Sequence, residues 1–102
     1  MKLWLISQTE NDGYDTYDDT YDSAVVAAES AIDAARVYPD RSGDYRWSDE
    51  AKKWLGYRPD GSTYDVGAWR EWAAPDDVTV RYIGEAADDI KSGTVCASFN
   101  AG

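Results

Sequence analysis

Asp15-Thr16-Tyr17-Asp18 is followed directly by Asp19-Thr20-Tyr21-Asp22, so one acidic and aromatic word stands twice in tandem. With Glu10 and Asp12, the segment sets six carboxylates within the thirteen residues 10–22, beside Tyr14, Tyr17 and Tyr21. Carboxylates accept hydrogen bonds from Arg and Lys, and tyrosine supplies contact area at low entropic cost. The chemistry on offer is recognition of a basic partner, with Asp12, Tyr14, Asp15, Tyr17, Asp18, Asp19, Tyr21 and Asp22 as candidate contacts. Closely set carboxylates can stand in for nucleic-acid phosphates in a basic groove. A competing reading is a solvated hairpin extension without a role. Four inserted residues preserve strand parity, because side chains alternate with period two, so both arms could lengthen without turning the core face outward. Calcium is a third reading. Gly13 at the sixth place of an EF-hand loop puts Gln8 first and Asp19 twelfth, both the wrong residue type, so no metal site is expected.

A second constellation lies in the middle of the chain. Arg46, Trp47, Arg58, Trp69 and Arg70 are candidate ligand contacts, interleaved with Lys52, Lys53, Trp54, Tyr57 and Trp72. Arg beside aromatic rings can grip a nucleotide by stacking and phosphate pairing. The plainer alternative is that the rings pack a core while the bases pair locally with Asp44, Asp49, Glu50 and Glu71. Core packing is the expectation, and the nucleotide grip is the alternative to it.

Other chemistry is narrowed by what is missing. The chain has no histidine, which removes Ser-His-Asp and Cys-His catalysis and every His-bearing zinc site. The single cysteine, Cys96, has no partner for an internal disulfide. By strand alternation Cys96 groups with Thr94 and Ser98, opposite Val95, Ala97 and Phe99, and a packed, inert thiol is expected. No spacing among the 20 acids singles out a catalytic pair, so neither an enzyme nor a cofactor is expected.

The whole chain has 102 residues and suits a single domain, 1–102, with an aromatic-rich insert at about 40–75. Its formal net charge is −10, distributed unevenly. Residues 1–35 carry eight acids against one base, residues 36–71 seven against seven, and residues 72–102 five against two. Direct binding to nucleic acid needs net positive surface and is not expected. Solubility alone would explain the charge equally well as a basic partner. No apolar run approaches a membrane span, and the run ending at Ile6 is short for a signal peptide, so no membrane association and a cytoplasmic location are expected.

These residues need elements to hold them. "KLWLISQ" (2–8) is apolar on both faces, as an interior strand is. "SAVVAAE" (23–29) predicts a second strand antiparallel to it. Ser30 can cap a helix over 31–38, with Asp33 at its third position and Pro39 ending it. "SDEAKKWLG" (48–56), with a Ser cap, early acids, later lysines and a final Gly, predicts a short helix. "DVGAWREW" suggests a further helical turn closed by Pro75, with Trp69 and Trp72 on one face. "DVTVRYIGEA" (77–86) alternates as a strand, with Val78, Val80 and Tyr82 on one side, and "TVCASF" (94–99) is the last; the two read as a hairpin. The expected class is α+β, an antiparallel sheet of about four strands in the order β-β-α-insert-β-β with one or two short helices on one face.

Several pieces carry a resemblance: "GYDTYDSAVVAAES" with one copy of the doubled word removed, "LISQ", "ARVYPD", "VTVRYIGEA" and the final "ASFNAG". Together they resemble a family of small acidic proteins of bacteriophages and prophages. The resemblance covers about half the chain and implies a phage-encoded cytoplasmic protein. It carries no assigned activity and no site residues, and the extra DTYD departs from it. The functional expectation is a non-enzymatic inhibitor of a basic host protein, such as a nucleic-acid-binding effector of host defence. An anti-CRISPR that imitates nucleic-acid charge is its concrete form. A nucleotide-binding sponge using the central Arg and Trp residues, or an accessory protein with no ligand, are the alternatives.

Overall fold

The structure, a computed structural model, describes residues 1–8, 20–40, 44–66 and 72–100, the side chains of residues 20, 99 and 100 excepted. Among the described residues, seven strands form two antiparallel sheets, accompanied by a single α-helix. The architecture is therefore richer in β-structure than the expected α+β class. β1 (Lys2–Gln8), β2 (Thr20–Ala28), β6 (Val78–Glu85) and β7 (Gly93–Asn100) make the larger sheet, in the order β6-β1-β2-β7. β3 (Tyr45–Ser48), β4 (Lys53–Tyr57) and β5 (Thr63–Asp65) make the smaller sheet in chain order. The helix, α1, spans Ala31–Ala35, and a 3-10 turn, Pro75–Asp77, leads into β6.

The strands apolar on both faces, β1 and β2, take the two interior places. That placement overturns the expected hairpin of the last two strands: β6 pairs with β1 and β7 pairs with β2, so they lie at opposite edges. β1 and β2 each have two sides to pair, and only strands on both flanks satisfy the backbone groups of both. The final acidic turn spans the sheet end, with Ala86 N–H donating to Met1 C=O at 2.9 Å.

One face of the larger sheet meets the rest of the chain. Ile6, Ala24, Val26 and Ala28 pack with Ala34 of α1 and with Tyr38, Trp54 and Trp72 in one buried cluster. The expected role of the central aromatic residues as core holds for Trp54 and Trp72, which are buried; Trp69 lies outside the described residues. Trp54 Nε1 donates to Ala73 C=O at 3.0 Å, which satisfies its buried donor. Trp72 Nε1 finds no acceptor among the described residues, a cost of about 1–3 kcal/mol that the ring's burial must offset.

Ser30 does cap α1, accepting from Asp33 N–H at 3.2 Å. The helix is shorter than expected because Val37 leaves it for a bridge with Arg46, which draws the chain to the smaller sheet. The predicted helix over 48–56 is instead a hairpin. Its cap signal is real for one turn: Ser48 Oγ accepts from Ala51 N–H at 3.1 Å, and Ser48 C=O from Lys52 N–H at 2.8 Å. Lys52 then adopts φ 56°, which stops the turn, and β4 pairs back on β3 with Trp54 opposite Trp47. The two indoles meet edge to face at 5.5 Å, packing that a lone nine-residue helix could not supply. Further along β4, the Tyr64 ring lies over Gly56, where any Cβ would overlap it.

Candidate functional site

Antiparallel pairing decides where the acidic residues gather. Gln8 pairs with Val78 and Ser7 with Ser23, so the last residues of β1, the first of β2 and the first of β6 share one end of the larger sheet. Exposed Asp22 and exposed Asp76 and Asp77 of the 3-10 turn belong to that end. Residues 9–19, which carry Glu10, Asp12, Asp15, Asp18 and Asp19, connect Gln8 to Thr20.

Of the predicted partner contacts, Asp12, Tyr14, Asp15, Tyr17, Asp18 and Asp19 lie outside the described residues. Asp22 is exposed as the reading requires. Tyr21 is not a free contact: it is half-buried and packs against the core, and its C=O accepts from Gln8 Nε2 at 2.8 Å. The hairpin extension expected of the doubled word falls mainly on residues 9–19, outside the described residues. Thr20 and Tyr21 of the second copy pair with Asn100 and Phe99 of β7. Nor do all the early carboxylates cluster. Glu29 follows β2 at its far end, about 23 Å from Asp22 at the usual rise per strand residue.

Asp76 and Asp77 were missed by sequence reasoning. Their signal was the acidic pair just before a clean strand pattern, legible only once that strand is known to run antiparallel to β1. The acidic end grades into the helix end: the Arg36 guanidinium is held above its usual pKa by its hydrogen bond to Asp49 at 2.8 Å, with smaller help from the fields of Asp33 and Asp76.

The central candidates are dispersed. Arg46 lies on the outward face of the smaller sheet, its guanidinium 4.7 Å from the Tyr57 ring centre. Arg58 stacks on Tyr64 at 4.6 Å. Trp47 faces inward against Trp54. Trp69 and Arg70 lie outside the described residues. Arg46 and Arg58 are thus engaged with separate rings and do not converge with Trp47 on one ligand. What Trp47 does line is a cleft of about 300 Å³, together with Trp54, Lys52, Lys53, Asp65 and Val66. Lys53 is paired there with Asp65 at 2.9 Å, while Lys52 makes no ion pair among the described residues. A wider hollow of about 700 Å³ beside α1 mixes Arg36 and Arg46 with Glu29, Asp33 and Asp40 and so favours neither sign of charge.

Cys96 is exposed, not packed as expected. A bulge between Val25 and Val26 shifts the β7 register, so Cys96 pairs with Val25 while Thr94 pairs with Val26 and donates through Oγ1 to Tyr38 C=O at 3.5 Å. Among the described residues no three carboxylate or thiol side chains are grouped to hold a metal ion, and no helix is long and apolar enough to cross a membrane. Compared with known proteins, the chain matches no family model, no curated protein and no solved structure.

Proposed function

We propose that this chain is a non-enzymatic acidic protein that binds a basic protein through the Asp22 end of its larger sheet. In its finer form the proposal is a phage-encoded inhibitor acting in the host cytoplasm. It would present carboxylates where a nucleic-acid-binding effector of host defence expects phosphates, as an anti-CRISPR charge mimic does. One observation carries the reading: strand order brings exposed Asp22, Asp76 and Asp77 to the sheet end from which the acidic stretch 9–19 departs and to which it returns. Like charges so placed raise the local attraction for cations well above that of a scattered distribution.

The test is capture of basic nucleic-acid-binding proteins from host lysate, and release of nucleic acid from them, at low and high salt. Asp22→Lys, Asp76→Lys and Asp77→Lys together should abolish capture with circular dichroism preserved. A control with the same change in net charge, Glu29→Lys, Asp88→Lys and Asp89→Lys, should retain it, and salt should weaken it. Equal capture by both triple variants would sink the reading.

A second reading rests on the cleft. Trp47 and Lys52 both line it, and an indole together with an ammonium suits a planar anion such as a nucleoside monophosphate, in place of the dispersed Arg46 and Arg58 set. A ligand at about 100 times its dissociation constant would add about 2.7 kcal/mol of stability, readable as a thermal shift. Lys52→Ala should cancel that shift, and no shift with any nucleotide would discard the reading.

A further inference from the structure

We propose that two copies of this chain associate reversibly through the outward face of the larger sheet. The register writes that face as three rows running across all its strands. One is Thr79, Ser7, Ser23 and Ser98; the next is Arg81, Leu5, Val25 and Cys96; the last is Gly84, Leu3, Ala27 and Gly93. α1 and the buried tryptophans pack against the opposite face. β1 and β2 thus carry apolar side chains on two faces, and among the described residues a core packs against one of them. Leu3, Leu5 and Val25 stay partly open to solvent, while Ala27 in the third row is buried. A shallow cleft of about 220 Å³ runs along Leu5, Val25 and Cys96 between Ser23 and Ser98.

Charge identifies the occupant. Charged residues are 29% of the chain, yet these rows hold one, Arg81, and no acid. Depletion of charge is the compositional mark of an interface centre. A chain of net charge −10 meets its own copy with least repulsion across its acid-free face, whereas a basic partner is drawn to the carboxylates at the sheet end and repelled by Arg81. The small, flat side chains suit sheet-on-sheet packing, two such faces stacking about 10 Å apart. Area sets the strength. Four strands about 4.8 Å apart and three rows about 6.8 Å apart cover on the order of 400 Å² of flat face. Two copies then bury about 800 Å² or somewhat more, short of a permanent complex and matched to a weak, reversible one.

Sedimentation under reducing conditions tests this directly, from about 1 µM to about 1 mM chain. The average mass should climb from 11.3 kDa toward twice that value. Leu5→Lys with Val25→Lys should hold it at the single-chain mass with unchanged circular dichroism, and Cys96→Ser should associate as the parent does. Should the double variant fail to fold, alkylation of Cys96 in the unaltered chain decides the matter: its rate per chain should fall severalfold as concentration rises. A chain that stays at 11.3 kDa up to the highest concentration, or a folded double variant that associates equally well, overturns the proposal. So does a Cys96 alkylation rate independent of concentration. Cover of this face by a different protein would appear as the first of these outcomes.

Discussion

The two sheets obey the same antiparallel rule and use charge in opposite ways. In the larger sheet the described charges sit mainly at the strand ends, Lys2 and Glu85 at one and Asp22 at the other, and Arg81 alone interrupts the outward rows. In the smaller sheet they sit on the surface of the sheet itself, each against a neighbour: Lys53 on Asp65, Arg46 over Tyr57, and Arg58 over Tyr64 just beyond. The difference follows from what each sheet must cover. The larger sheet has apolar residues on two faces and can place charge only at its rims. The smaller one spends its inward face on Trp47, Trp54 and Tyr45, and its narrow outer face is free for ions that pair locally. Charge at a rim is available to a partner, whereas charge paired across a strand is mostly spent within the chain.

If the two regions share one core, the largest effect should ignore the boundary between them. Trp54→Ala, in β4, should cost about 3–5 kcal/mol through lost burial and a cavity. In denaturant titration the larger sheet should melt together with the smaller. Survival of the larger sheet while the smaller unfolds would separate what the buried cluster joins. A loss confined to one side comes next. Ser30→Ala removes the cap of α1, which packs on the larger sheet, and should cost about 1 kcal/mol with the nucleotide response of the cleft intact.

The opposite sign is expected in the smaller sheet. Lys52 holds a left-handed conformation that favours glycine, so Lys52→Gly should stabilise the protein by about 1 kcal/mol while removing any cleft ligand. Loss of stability would mean that the lysine side chain makes packing contacts worth more than the strain.

The smallest effects divide the regions by pH. The Arg36 guanidinium donates to Asp49 and holds its carboxyl below the ordinary range, and the Ser62 hydroxyl and amide do the same for Asp60. Both depressed pKa values belong to the turns of the smaller sheet. The unfolded chain binds those protons more tightly, so the stabilisation is present above the ordinary carboxylate range and is lost as pH falls through the folded values. In the larger sheet Tyr82 donates to Glu85 at 2.7 Å, and that bond raises the phenol above its usual value. Its stabilisation is present below the ordinary tyrosine range and lost as pH rises through the raised value. Asp49→Asn should therefore flatten the acid limb of a stability profile, and Glu85→Gln should bring forward one tyrosine in an alkaline absorbance titration. All of these groups are exposed, so the effects should be slight and salt should shrink them.

Local signals were read well where a segment's own chemistry sufficed. β1 and β6 fall where their patterns put them, β2 begins earlier than its pattern, and Ser30 caps the helix that follows. The 48–56 segment shows the limit. Its Ser, acids and lysines do form one helical turn, but the pairing of Trp54 with Trp47 outweighs the continuation, and Trp47 stands one residue before the segment that carries the helix signature. The Asp22 end was half legible. Six early carboxylates mark it in the sequence, while Asp76 and Asp77 join it only through the pairing of β6 with β1.

The periodicities, the cap, the absence of histidine chemistry and the imbalance of charge are legible in the chain alone, because each depends on neighbours within a few residues or on composition. Only folding sets the strand order, which carboxylates share an end, and that the outward rows of the larger sheet carry no acid. Each of those depends on residues far apart in the chain. Cross-strand pairing brings them together only after the apolar faces of two sheets and one helix have closed on a common core.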